Sequence, residues 1–138
     1  MVASEISMPA PRRRTVGMAV VAVLNVLLGG MQAVGNTIEV IQGRTFDGVT
    51  VTPVLGALGL AGAAFAALLA AGGVGTWQVR PYGRRLALIA AAGSVALLVV
   101  AAAVAGFAWW MVLAGSAYPV LLLVLYNLPR WRAAFAAR

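Results

Sequence analysis

Residues 86–128 read LALIAAAGSVALLVVAAAVAGFAWWMVLAGSAYPVLLLVLYNL, a nearly unbroken apolar stretch of 43 residues. A membrane-spanning helix needs about 20 apolar residues, so this stretch is long enough for two crossings and must fold back on itself. We place the turn between Gly106 and Trp110, because glycine tolerates turn geometry and tryptophan favours the membrane interface. A turn at residues 115–119 would leave about ten residues before Pro129, too few for another crossing. Pro119 is therefore predicted to lie inside the last helix as a kink.

Two further apolar segments of similar length precede this stretch. In chain order, we predict membrane-spanning helices at residues 16–35, 54–74, 86–107 and 109–128. Hydrophobic residues make up 63% of the 138 residues, against roughly 45–50% in soluble domains. The predicted fold is an all-α, polytopic integral membrane protein with four transmembrane helices.

The charged residues predict how these helices are oriented. All ten cations are arginine, and nine of them fall on one side of the membrane if the chain crosses it four times. Because cytoplasmic loops are enriched in Lys and Arg, we expect both termini in the cytoplasm. Those assigned to topology and anionic lipid headgroups are Arg12, Arg13, Arg14, Arg80, Arg84, Arg85, Arg130 and Arg132.

Other interpretations of the basic residues are weaker. The sequence pI is about 11.6, but the chain has no basic helix or aromatic-interleaved basic strand, so no nucleic-acid partner is predicted. The arginines at 12–14 and the apolar run at 15–28 resemble a signal peptide, yet the cleavage motif at 31–33 has a bulky residue where a small one is needed. The heavy use of Ala, Gly, Val and Arg is typical of GC-rich bacterial genomes. We therefore expect the bacterial cytoplasmic (inner) membrane.

The segments outside the spans complete the predicted domain organisation. A four-helix membrane domain at residues 16–128 is flanked by a cytoplasmic N-terminal tail at 1–15 and a cytoplasmic amphipathic tail at 129–138. The extracytoplasmic loop at 36–53 is rich in β-branched residues with a turn signal, which is consistent with a short hairpin. An extension of the first helix that stops at Gly43 is equally consistent with the sequence.

The two remaining cytoplasmic segments are expected to lie at the membrane surface. In the loop at 75–85, Pro81 and Gly83 are predicted to form the turn between the second and third helices. The tail at 129–138 should form a short interfacial helix. Trp131 and Phe135 would share one face of it, and aromatic side chains and anionic lipids would hold it at the membrane.

Polar side chains are rare in the predicted spans, so the few present are candidate site residues. Asn25, Gln32 and Asn36 recur on the first helix at spacings of seven and four, which places them on one face. This polar stripe could contact a ligand or ion. The alternative, which we favour, is hydrogen bonding between helices, worth ~0.6–2 kcal/mol for each bond.

Few residues in the chain are suited to catalysis. Glu39 and Asp47 are the only acids outside the N-terminal tail, and paired carboxylates can act as general acid and base. With Arg44 between them, they are more consistent with a solvated loop. The chain has no Cys and no His, and it carries no catalytic or nucleotide-binding motif. We therefore predict no catalytic residue, no metal, no cofactor and no enzymatic activity.

Small residues on the second helix predict close helix packing. Gly56, Gly59, Ala63 and Ala67 form small-xxx-small pairs, which allow helices to approach closely. This pattern does not distinguish packing within the chain from packing against a partner protein or a second copy.

Two short motifs resemble a family. Trp77 followed by RPYGRRLAL at 80–88 resembles the loop between the second and third helices of small uncharacterised bacterial four-helix membrane proteins. The segment from Tyr118-Pro119 through LYNLP at 125–129 to Arg132 and Phe135 is similar to their C-termini. The resemblance implies the four-helix topology and carries no known activity. Four-helix multidrug exporters share the layout but have an acidic residue in the first helix, which residues 16–35 lack.

These observations predict a non-catalytic integral membrane protein, an accessory or structural subunit that packs with partner proteins or with copies of itself. Four helices in so short a chain are expected to leave little room for an internal cavity. The alternative is a small oligomeric transporter or channel that uses the polar stripe. A lipid- or quinone-modifying enzyme is the weakest hypothesis, because proton-transfer groups are scarce.

Overall fold

The computed structural model describes residues 14–136 and is all-helical over that range. We call the end at which α1 begins and α5 lies the tail end, and the opposite end, with residues 43–52, the loop end. Helices α1 to α4 are long and apolar enough to span a membrane. The helices are α1 (Val16–Gln42), α2 (Pro53–Trp77), α3 (Pro81–Ala105), α4 (Trp109–Asn127) and α5 (Pro129–Ala136). Arg12, Arg13 and Arg138 lie outside the described residues.

Helix α1 is longer than the apolar span from which it was predicted. It continues beyond residue 35 to Gln42 and ends at Gly43, whose φ of 65° is left-handed. Of the two alternatives for the loop at 36–53, the structure shows the helix extension as far as Gln42, and the residues after it also make a short hairpin-like contact, an isolated antiparallel bridge between Arg44 and Thr50. The remaining connection contains a tight turn, in which the Gly48 N–H donates to the Thr45 carbonyl (2.9 Å).

Helix α3 begins earlier than predicted. It starts at Pro81 and not at residue 86, so the predicted loop at 75–85 is reduced to residues 78–80. The prediction that Pro81 and Gly83 form the turn is wrong. Pro81 lies in the first turn of α3, where proline loses no hydrogen bond because the N–H groups there have no helical partner. Gly83 lies inside the helix.

The other predicted helix boundaries need only small corrections. The second span, predicted at 54–74, extends from Pro53 to Trp77, and the fourth ends at Asn127. Helix α3 ends before Gly106, which has a φ of 71°. The predicted turn after the third helix is therefore confirmed, as is the place of Pro119 inside α4.

The turn between α2 and α3 is built on a valine in an unusual conformation. The Arg80 N–H donates to the Gly75 carbonyl (2.8 Å) and the Val79 N–H to the Thr76 carbonyl (3.0 Å), as in a Schellman motif. Val79 has a φ of 52°, a left-handed conformation that strains a β-branched residue. Its side chain is only 4% exposed, so its packing in the core offsets the strain.

The helices pack in chain order, α1 on α2, α2 on α3 and α3 on α4, with glycines at the crossings. A Cβ added at Gly29 of α1 would lie 2.6 Å from the Ala66 carbonyl oxygen of α2. A Cβ added at Gly83 of α3 would overlap the backbone of Gly75. Since only glycine fits these positions, the helices approach backbone to backbone.

The predicted stripe of Gly56, Gly59, Ala63 and Ala67 is only partly the packing face of α2. A Cβ added at Gly59 would lie 2.9 Å from an α1 side chain, whereas Ala67 is exposed. Steps of four residues drift by about 40° around a helix, so the stripe turns away from α1. The face towards α1 continues instead through Gly73, where an added Cβ would lie 2.7 Å from an α1 carbonyl oxygen.

Helix α5 packs on the tail end of the bundle. The Tyr126 ring meets Trp131 edge-on, with centroids 5.2 Å apart, and Phe135 at 6.0 Å. Phe135 is buried in the core, so the expectation that it anchors the helix in lipid is wrong. Arg130 and Arg132 remain exposed.

Candidate functional site

A hydrogen-bonded group of side chains links three helices within the bundle. Asn25 of α1 is completely buried, and its Nδ2 donates to the Tyr126 hydroxyl (3.1 Å). Its Oδ1 accepts from the Tyr118 hydroxyl (2.6 Å). The Tyr126 and Thr76 hydroxyl oxygens are 2.6 Å apart, and Thr76 donates to the Gly72 carbonyl (2.8 Å). We call Asn25, Thr76, Tyr118 and Tyr126 the polar cluster.

The protons of the polar cluster follow from its geometry. Thr76 has one hydroxyl proton and donates it to Gly72, so Tyr126 must donate to Thr76 and accept from Asn25. Each hydrogen bond then has one donor and one acceptor. No buried side-chain nitrogen or oxygen among the described residues lacks a partner. The favoured interpretation of Asn25, hydrogen bonding between helices, agrees with these contacts.

Sequence reasoning identified Asn25 but none of its partners. Thr76 and Tyr126 lie near the ends of α2 and α4, both at the tail end, where the long tyrosine side chains reach across to α1. One signal was available in the sequence. A buried tyrosine hydroxyl requires a hydrogen-bond partner, and the predicted topology places Tyr126 and Thr76 at the same end of the bundle.

The other two residues of the predicted stripe, Gln32 and Asn36, lie outside the polar cluster and line a cavity of about 690 Å³. The cavity is bordered by α1 to α4 and by the loop-end residues Thr45 and Phe46. Exposed side chains such as Met31 and Phe46 line this cavity, so it opens to the surface of the bundle, and the expectation of little room for an internal cavity stays a prediction. Tyr118, which also lines the cavity, and Tyr126 bridge α4 to α1, and the helices leave a space between them from Tyr118 towards the loop end.

The two candidate acids have different environments. Glu39 is half-buried and lines the cavity, and its Oε1 accepts from the Phe46 N–H (2.8 Å). This hydrogen bond goes to the loop backbone and not to Arg44. Asp47 is exposed and does not line the cavity. Glu39 therefore holds the loop-end residue Phe46, which lines the cavity, in place.

Two of the arginines assigned to topology also make contacts within the chain. The Arg14 guanidinium lies 3.6 Å from the Trp77 ring centroid, a cation–π contact. Arg84 donates from Nε to the Tyr126 carbonyl (2.9 Å) and from Nη2 to the Asn127 Oδ1 (3.2 Å). Arg84 thus satisfies the carboxyl end of α4, a role that its sequence position did not reveal. Besides Arg14, the exposed arginines at the tail end among the described residues are Arg80, Arg85, Arg130 and Arg132.

No family model, no curated protein and no solved structure matches this chain. The resemblance to small bacterial four-helix membrane proteins therefore stays a prediction. The class is defined by the chain's own features: an all-helical protein with four helices able to span a membrane, a polar cluster between three of them, and a cavity at the loop end.

Proposed function

We propose that the protein is a multi-pass protein of the bacterial cytoplasmic membrane, with its tail end in the cytoplasm. Among the described residues, the loop end holds a single arginine, Arg44, and the tail end the rest. Exposed aromatic residues at both ends, such as Trp77 and Trp109, fit the two membrane interfaces. The exposed tail-end arginines are then placed to meet anionic lipid headgroups.

In that membrane, the proposed role is a non-catalytic one, as an accessory or structural subunit that associates with a partner membrane protein or with copies of itself. The polar cluster is the observation that carries this proposal. Its hydroxyl and amide groups bond to one another or to the α2 backbone. They are therefore committed to holding the helices together and do not form a polar path through the tail half.

The outward face of α2 supports association with another helix. Ala64, Ala67 and Ala71 are exposed, and their spacings of three and four residues place them on one face. Small side chains allow a second helix to approach closely, and packing of this kind drives helix association in membranes.

Gentle extraction from native membranes, followed by native mass spectrometry, tests this proposal. We expect a stable complex with a second protein or a second copy. The Ala67→Leu variant should weaken the complex, while Ala103→Leu, at an exposed position of α3, serves as the matched control. A monodisperse monomer with no companion protein would contradict the proposal.

The cavity favours one alternative, the small oligomeric transporter. Gln32 and Asn36 would then contact the solute, while Asn25 would not, because its amide is engaged on both sides. A transporter predicts that Gln32→Leu abolishes a solute-dependent phenotype at unchanged protein level. If Gln32→Leu leaves the solute-dependent phenotype unchanged, the transporter hypothesis is excluded.

A further inference from the structure

The cavity at the loop end contains polar side chains that the fold does not use. Gln32, Asn36 and Ser94 line it, and no hydrogen bond joins these side chains to the rest of the described chain. Polar groups in the apolar part of a membrane require a partner, since little water is present there. These three groups are therefore available to a bound molecule.

We propose that this cavity binds one amphipathic molecule, with an apolar chain and a head group that donates hydrogen bonds and carries no negative charge. The site lies between helices of a single chain, so it does not depend on the association proposed above.

The size and the walls of the cavity fit the apolar part of such a molecule. Its volume is about 690 Å³, within the ~300–1,000 Å³ typical of small-molecule sites. The walls from α2 and α3 are mainly aliphatic, and they include Leu55, Leu58, Leu97 and Leu98. An alkyl or isoprenoid chain would replace lipid or water there and bury apolar surface.

The polar residues that α1 contributes to the cavity determine which head group can bind. Gln32, Asn36 and Glu39 follow one another at spacings of four and three, so they form one polar face of α1. Glu39 is the only acidic or basic residue among those that line the cavity. One of its carboxylate oxygens accepts from Phe46, and the other retains acceptor capacity. A head group with donors is therefore favoured, and an anionic one is repelled.

A partner helix does not fit this space. The cavity does not run the full length of the bundle: it extends from the loop end as far as Leu69 and Tyr118, where Tyr118 and Tyr126 bridge α1 and α4. A membrane-crossing helix needs a groove about 30 Å long. A small amphipathic molecule fills the space without having to pass the tyrosines.

Fluorescent probes with one chain and three head groups test the proposal. Each probe has a dansyl group on an undecyl chain that ends in an ammonium, a primary amide or a carboxylate. The full chain is reconstituted in phosphatidylcholine nanodiscs, and saturable fluorescence is measured against empty nanodiscs. We expect saturable binding of the ammonium and amide probes, and binding of the carboxylate probe at least tenfold weaker.

Two glycines of α1 provide a matched pair of variants. Gly35 lines the cavity, and a Cβ added there would lie 3.6 Å from the Phe46 ring. Gly30 does not line it, and an added Cβ would meet nothing within 4 Å. Gly35→Leu should weaken binding of every probe at least tenfold, and Gly30→Leu should leave binding unchanged. If Gly35→Leu does not fold, Ser94→Leu fills the same cavity from α3.

Two further variants test the head-group contacts. Asn36→Leu should weaken binding of the amide probe about fivefold, the loss expected for one neutral hydrogen bond. Glu39→Gln should remove the discrimination against the carboxylate probe. The proposal is overturned if no probe binds saturably, if the carboxylate probe binds as tightly as the others, or if filling the cavity leaves binding unchanged. It is also overturned if the discrimination survives in Glu39→Gln.

Discussion

Removal of the Tyr126 hydroxyl is the sharpest perturbation of the polar cluster. In the Tyr126→Phe variant, the ring still packs against Trp131 and Phe135, but the hydroxyl that joins Asn25 to Thr76 is lost. Hydrogen bonds between membrane helices average about 0.6 kcal/mol and reach about 1.7 kcal/mol. A buried donor left without an acceptor costs a further ~1–3 kcal/mol.

Two hydrogen bonds are lost, and the Asn25 Nδ2 is left without its acceptor inside the bundle. We therefore expect the free energy of unfolding to fall by about 2–3 kcal/mol. Tyr118→Phe removes a single hydrogen bond, and we expect it to lower the free energy of unfolding by about 1 kcal/mol.

Reversible unfolding in mixed micelles of a mild detergent and dodecyl sulfate measures these differences. Tyr82→Phe is the matched control, because its hydroxyl bonds to Gln78 in an exposed position, and it should change stability by less than about 0.5 kcal/mol. A double-mutant cycle of Asn25→Leu with Tyr126→Phe should give a coupling energy of about 1–2 kcal/mol. Unchanged stability of Tyr126→Phe, together with no coupling to Asn25, would refute this account of the cluster.

The remaining predictions use the same unfolding assay. Gly83→Ala should lower the free energy of unfolding by more than about 2 kcal/mol, since its Cβ would overlap the α2 backbone and overpacking typically costs ~1–3 kcal/mol. Gly30→Ala meets open space and should stabilise the helix by about 0.5–1 kcal/mol, and the Gly83 reasoning fails if the two variants behave alike. Arg84→Met should destabilise the protein by about 1.5–3 kcal/mol, the value of a hydrogen bond from a charged group. Arg85→Met, at an exposed position, should have no measurable effect, and equal effects at the two arginines would contradict the capping role of Arg84.

The four long apolar helices were the most predictable part of the fold, because they depend on hydropathy that is local in sequence. The turn after α3 was found from the length of the apolar stretch and from Gly106, which adopts a left-handed conformation. The start of α3 at Pro81 was not predicted, because proline is common both in loop turns and in the first turn of a helix. The polar residues at 82–85 also favoured the wrong prediction that residues 75–85 form a loop. In the structure, the helices extend beyond their apolar segments.

The candidate site was less predictable, because it depends on contacts between distant segments. Asn25 stood out as a rare polar residue, but its partners Tyr118 and Tyr126 lie 93 and 101 residues away. The stripe was predicted as one unit, yet Asn25 enters the polar cluster while Gln32 and Asn36 line the cavity. Whether facing helices leave a space depends on side-chain reach across the bundle, which helical periodicity does not encode.

The central claim is that α1 to α4 cross the membrane with the tail end in the cytoplasm. The chain contains no cysteine, so single-cysteine variants give an unambiguous readout with a membrane-impermeant maleimide. Thr50→Cys reports the loop end and Ala133→Cys the tail end, both at exposed positions. We predict that Thr50→Cys is labelled in intact cells and that Ala133→Cys is labelled only after the membrane is permeabilised. Labelling of both variants in intact cells, or of Ala133→Cys alone, would contradict the account.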